Sequence, residues 1–209
     1  GGIYCSELNY VEINKSCFKR NYALHIGAGI HLENTDNLNI DFTCFEQNYA
    51  LWDGGALFVI NSKQMALLIA YNSFTTNIAN KGSALCIYDV TQIYVYRTVI
   101  CLNSEQTISM TTLKAKAIKI MDMKIEGIIK ETFLIDATIR MRAEYRNITV
   151  DCPSYTYLNE KSRVTTESVR IKQLQVWHRC ISCQPGFYRL KASVKKINEI
   201  YHFSQARPE

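Results

Sequence analysis

Four short stretches of the chain alternate apolar and polar residues in the same phase. Val11, Leu38, Leu67 and Ile93 form one apolar column, and Ile13, Ile40, Ile69 and Val95 form a second two residues on. Glu12, Asn14, Asn39 and Asp41 stand between and after them. An apolar spacing of two predicts a strand with one buried face. Seven residues after the first column comes a third, Phe18, Phe45, Phe74 and Ile100, at intervals of 27, 29 and 26 residues. The wording repeats with the pattern: CFKRNYALHIGAGIHL begins at Cys17 and CFEQNYALWDGGALFV at Cys44, with a shorter copy at Phe74 and a decayed one at Ile100. Recurrence at such intervals marks a stacked-repeat architecture.

A second strand is expected after the glycines of each repeat. Ile3, Ile30, Ala56 and Ala84 are read as one of its columns, and Cys5, Leu32, Phe58 and Cys86 as the other. Between the strands, Asn21, Asn48, Asn77 and Asn103 each follow the Phe-type position by three, and Ala23, Ala50 and Ala79 follow the first three of them by two. Asparagine tolerates the left-handed conformation and bonds neighbouring backbone, which suits a recurring turn. Gly27, Gly29, Gly54, Gly55 and Gly82 fall at the next corner, where a missing side chain allows positive φ or close approach. Like-directed strands and corners recurring at about 4.8 Å per level make an all-β, right-handed parallel β-helix. Helical or leucine-rich repeats of similar period fit less well, since the spacing is two and the strands are rich in Ile, Val, Tyr and Phe.

Residues 107–151 keep the alternation but lose the Asn and Gly corners, so 1–151 is read as the β-helix, closed by one or two irregular coils. Gly1-Gly2-Ile3 is matched with Gly54-Gly55-Ala56, so the chain reads as opening inside a repeat, as part of a longer protein. With 209 residues and 47% hydrophobic composition, a sizeable core is available. The longest apolar runs, MALLIAY and GGALFVI, are of strand length, and no run approaches the roughly 18 residues of a membrane span.

From Cys152 the composition turns polar and turn-rich, and HRCISCQPGFYRL carries Cys180, Cys183, Gly186 and Tyr188 as C-x2-C-x2-G-x-Y. Residues 152–209 are therefore read as a cysteine-rich tail module. With the F-x-x-N and G-G-A-[IL] repeats before it, this element resembles the large surface proteins of ciliates and related protists. Those join a pectin-lyase-like β-helix to short cysteine-rich modules of the epidermal-growth-factor or ephrin-receptor type. The repeats are also similar to those of bacterial polymorphic outer-membrane proteins. The resemblance implies a secreted or cell-surface protein and a Cys152–Cys180 bridge that leaves Cys183 to another partner. In that family more C-x2-C pairs follow, so the tail reads as truncated. The competing reading is a zinc centre of Cys152, His178, Cys180 and Cys183, of the Cys3His kind more usual in reducing compartments.

Cys17 and Cys44 share a column one residue before the phenylalanines, close enough across one level to be disulfide candidates. Ser73 and Val99 continue that column, which favours a plain ladder of small side chains. Cys5, Cys86 and Cys101 are ambiguous. Two sequons, Asn14-Lys15-Ser16 and Asn147-Ile148-Thr149, make Asn14 and Asn147 candidates for N-linked glycans, with Asn14 on an outward column.

Catalytic chemistry finds little support. The acids Asp41, Asp53, Asp89, Asp122 and Asp136 fall at different phases of the repeat, and His25 and His31 lie beside no recognisable nucleophile motif. No cofactor is expected. Residues 1–105 carry 6 Lys and Arg against 9 Asp and Glu, a balance of −3, while 106–209 carry 18 against 10, a balance of +8. The basic residues follow no nucleic-acid-binding motif. Attraction between acidic and basic halves of successive copies is the better use of that asymmetry. The expectation is a non-enzymatic extracellular structural or adhesive protein, joined end to end into filaments or continuous with the rest of a longer chain; the alternative is a carbohydrate-binding or polysaccharide-cleaving β-helix.

Overall fold

The computed structural model describes residues 2–60, 66–101, 103, 108–126, 131–152, 156–168, 171–182 and 193–202. Of these, 112–116, 126, 131–143, 145, 147 and everything beyond 148 are described by backbone alone. Wherever the sequence alternates with period two, strand forms. The first coil carries β1 (Ile3–Ser6), β2 (Val11–Asn14), β3 (Cys17–Lys19) and the short β4 (Tyr22–Ala23). The second repeats them as β5 (Ile30–Glu33), β6 (Asn37–Asp41), β7 (Cys44–Glu46) and β8 (Tyr49–Ala50). The third has β9 (Leu57–Ile60), β10 (Ala66–Ala70) and β11 (Ser73–Thr75), and the fourth β12 (Leu85–Tyr88), β13 (Gln92–Tyr96) and β14 (Val99–Cys101). Each strand pairs in parallel with its counterpart one coil away, which makes the chain an all-β parallel β-helix.

The predicted columns of β2 and β3 stack in register. Val11 pairs with Leu38, Leu38 with Leu67 and Leu67 with Ile93; Phe18, Phe45, Phe74 and Ile100 do the same. Phe45 is fully buried, its ring 5.3 Å from Phe18 and 4.7 Å from Phe74 and nearly parallel to both. Burying such side chains, at about 1.5–3 kcal/mol each, is what chiefly holds the coils together.

One expected register is corrected. Beneath Ile30 lie Leu57 and Leu85, and beneath Leu32 lie Val59 and Ile87, so Ala56, Ala84, Phe58 and Cys86 each belong one column away. Gly2 and Ile3 accordingly stack on Gly29 and Ile30, whose own counterparts are Ala56 and Leu57. The cause is the left-handed corner glycine. Gly27, Gly54 and Gly82 hold φ of 63°, 65° and 55°, and they, not the text GGA, mark equivalent positions.

The asparagine turns are corrected in a second way. The left-handed residue is the one before each of the first three asparagines: Arg20, Gln47 and Thr76 have φ of 54°, 55° and 52°. The asparagines instead form a buried ladder. Asn48 Oδ1 accepts from the backbone N–H and Nδ2 of Asn21 at 3.1 and 2.9 Å, and Asn77 and Asn103 repeat the contact one coil on. Each Nδ2 of Asn48, Asn77 and Asn103 also donates to the preceding coil's Phe18, Phe45 or Phe74 carbonyl. The amide thus satisfies backbone groups that a corner would otherwise bury unpaired.

The later coils lose a corner. β15 (Ile108–Met121) is one strand of 14 residues that pairs with β12 at its start and β13 at its end. It is followed by β16 (Lys124–Glu126), on β14. The 22-residue β17 (Glu131–Cys152) then lies parallel to β15 and β16 together. On the other side of β17 the sheet changes sense: β19 (Ile171–Ser182) and β20 (Ser193–His202) pair with it antiparallel, and β18 (Thr156–Ser168) pairs antiparallel with β19. Antiparallel strands laid on the last coil cover a sheet edge that would otherwise stay open.

Candidate functional site

Three outer surfaces bear side chains that the core does not need. The first is the turn after the asparagine ladder. Ala23, Ala28, Ala50 and Ala79 pack together there, so their neighbours are turned outward. Leu24 is 64% exposed, Trp52 58%, Tyr22 55% and Ile78 45%, so aromatic and aliphatic surface lies open to solvent along one strip. Its rings are ordered: Tyr22 and Tyr49 stack in parallel planes 5.2 Å apart, and His25 meets Trp52 edge-on at 5.6 Å.

The second surface is the outer row of the β1, β5, β9 and β12 sheet. His31 sits edge-on between the rings of Tyr4 and Phe58, 4.9 and 5.0 Å away, and burial keeps its imidazole below the ordinary value. Its Nε2 is buried without a hydrogen-bond partner among the described residues. Cys86 is fully buried beneath the Gly82 corner, and burial together with the nearby Asp53 carboxylate pushes its thiol up to about 12. The Tyr88 hydroxyl donates to Asp53 Oδ2 at 3.1 Å and is likewise raised, by burial first. A thiol held protonated makes a poor nucleophile. These groups serve packing.

The third surface is the outer face of β2, β6, β10, β13 and β15. The pairs Glu12 on Asn39 and Asn14 on Asp41 put Glu12 and Asp41 diagonally across one coil, an acidic neighbourhood that counting phases along the sequence missed. Tyr10 donates to Glu12 at 3.2 Å. At its corner Phe42 stacks on Tyr71 at 4.7 Å, and the Arg97 guanidinium lies 5.3 Å over Tyr71 while donating to its hydroxyl at 2.7 Å. Among the described residues, no group of three or more His, Cys, Asp and Glu side chains converges as a metal site would require.

Cys17 and Cys44, 4.6 Å apart at Cα, are joined by a disulfide between neighbouring coils, which corrects the plain thiol ladder. Side chains one level apart on parallel strands lie within bridging reach, and occupancy of the same column by Ser73 and Val99 does not alter that. Cys5 and Cys86 are free thiols, and Cys101 is half-buried at the end of β14. Asn14 is exposed at the end of β2, and the Ser16 hydroxyl of its sequon donates to the Asn14 carbonyl at 2.9 Å. Asn147 lies in β17 where the pairing with β20 shifts register between Tyr145 and Ile148. In the tail, Cys152 pairs with Ser193 and Cys180 with Leu158 through the backbone, while Cys183 and the side chains of all three, and of His178, fall outside the described residues. No helix among the described residues is long and apolar enough to cross a membrane. Compared with protein-family models, curated proteins and solved structures, the chain matches none.

Proposed function

We propose that the protein is a rigid extracellular β-helix with a structural or adhesive role, its binding surface being the Tyr22, Leu24, Leu51, Trp52 and Ile78 strip. The observation that carries this is the exposure of so much aromatic and aliphatic surface at one corner of a frame whose polar groups are otherwise ordered. The Cys17–Cys44 bridge supports an oxidising setting, and the exposed Asn14 sequon supports passage through a glycosylating route. A surface protein of the protist kind, with its cysteine-rich tail, fits both. A second reading is favoured by one geometric feature: the parallel rings of Tyr22 and Tyr49 offer flat faces against which sugar rings can stack.

Beads coated with the purified chain should adhere to cells or extracellular material, and Tyr22→Ser with Trp52→Ser should abolish adhesion without lowering the melting temperature. Adhesion unchanged by these substitutions would refute the assignment to this strip. Displacement by soluble oligosaccharides selects the sugar-binding reading, and shortening of those oligosaccharides, lost on Glu12→Gln or Asp41→Asn, would replace the adhesive role with a catalytic one.

A further inference from the structure

The corner column of the third surface reads Lys15, Phe42, Tyr71, Arg97, Asp122, one residue per coil. The backbone N–H of each donates to the carbonyl that ends the strand of the next coil, and all five hold φ between 45° and 55°. All five side chains are exposed. The neighbouring outward row reads Glu12, Asn39, Leu68, Tyr94, Lys119, set by the pairing of β2, β6, β10, β13 and β15.

Both rows are complementary to themselves reversed. If a second copy lies on this face with its coils running the opposite way, about a two-fold axis along β10 and Tyr71, Lys15 meets Asp122 and Glu12 meets Lys119. Phe42 then meets the Arg97 guanidinium, a cation over a ring, while Tyr71 and Leu68 meet their own copies. Keeping the coils in the same order runs the axis along the stack instead and, with the corner column on that axis, sets Lys15 against Lys15 and Asp122 against Asp122.

We infer that this face is an isologous interface between two copies of the chain, packed side by side and antiparallel. It is a different contact from end-to-end joining, and it does not rest on the adhesive reading. Five levels of about 4.8 Å and strands about 17 Å long give a patch of roughly 400 Å² per copy, about half that of a standard specific contact, so the dimer is weak and transient. Its charged rim makes it salt-sensitive.

The interface belongs to the chain that carries no glycan at Asn14, beside Lys15, so the test uses the full chain with Asn14→Gln. At about 50 µM and low salt, sedimentation should show a dimer that dissociates as salt is raised. Two charge-exchanged proteins decide the geometry. Glu12→Lys with Lys15→Asp, and Lys119→Glu with Asp122→Lys, should each weaken self-association about tenfold or more, whereas their mixture should form a heterodimer of parental strength. Tyr71→Cys, on the axis, should form a 71-to-71 disulfide under mild oxidation, identified by peptide mass, and this readout does not depend on the charge variants. A monomeric parent, an end-to-end filament, a mixture that fails to associate while both components melt like the parent, or no 71-to-71 link would each overturn the interface.

Discussion

The first four coils and the two that follow reach the same stacked sheet by different means. In coils one to four, strands of two to five residues are broken by left-handed corner residues, and a buried asparagine ladder satisfies the backbone at one of those breaks. In β15 and β17 the first corner is absent, and register shifts near Ala115 absorb the change of direction. The interior columns run on regardless: Ile118 continues below Ile93 and Ile125 below Ile100. Stacking therefore depends on the apolar columns, whereas the sharpness of the coil depends on the corner chemistry. Eleven described non-glycine residues hold positive φ, at about 1–2 kcal/mol each before compensation, so corners are tolerated only where backbone bonds to the next coil repay them.

Emptying the shared column should do the most damage. Phe45→Ala should cost about 3–5 kcal/mol in a denaturant melt while Glu46→Ala, on the exposed Lys19 ion pair, stays within about 0.5 kcal/mol; equal small losses would refute the column. Opening the Cys17–Cys44 bridge, by Cys17→Ser, should come next. It closes a loop of 27 residues, for which about 3 kcal/mol is expected. Hydrogen exchange should rise in coils one and two and leave β15 and β17 unchanged, which separates the two regions; a uniform rise would show that they unfold as one. Asn77→Ala should cost about 2–3 kcal/mol, because it strips the acceptor from the Asn48 N–H and Nδ2 and the donor from the Phe45 carbonyl. A loss no larger than that of an exposed asparagine such as Asn80 would deny the ladder its role.

Much of this was legible because periodicity reports the core directly. Period-two columns and a 27-residue recurrence suffice for β2, β3 and the Phe column, where each coil contributes one residue per position. The reading slipped at the glycines, where GAG in one coil and GGA in the next suggested a match one residue off. Positive φ, invisible in the text at Arg20, Phe42, Tyr71 or Arg97, is carried there by residues with no glycine or asparagine signature. The outer surfaces were harder still. Glu12 and Asp41 are 29 residues apart in sequence and become neighbours only once the register of β2 on β6 is fixed, and the reversed complementarity of the Lys15 column needs five coils aligned together. The disulfide was a matter of reach, not pattern: the column allowed it and the sequence could not choose.

The smallest expected effect concerns His31 in the outer row Tyr4, His31, Phe58, Cys86, whose equivalent in the fifth coil is Ser109. Burial between two rings disfavours the imidazolium, so the folded chain resists a proton that the unfolded chain accepts near pH 6.5. The folded value is the lower one. Stability from this site is therefore complete above about pH 6.5 and declines as pH falls through the window between that value and the folded one, below which the loss is constant. His31→Phe should keep the ring contacts and remove this slope, and the difference in denaturant midpoint between the two proteins, followed from neutral to mildly acidic pH, measures it. If parent and variant decline in parallel, His31 is solvated and charged like a surface histidine, and the outer row of the early coils is no drier than that of the later ones.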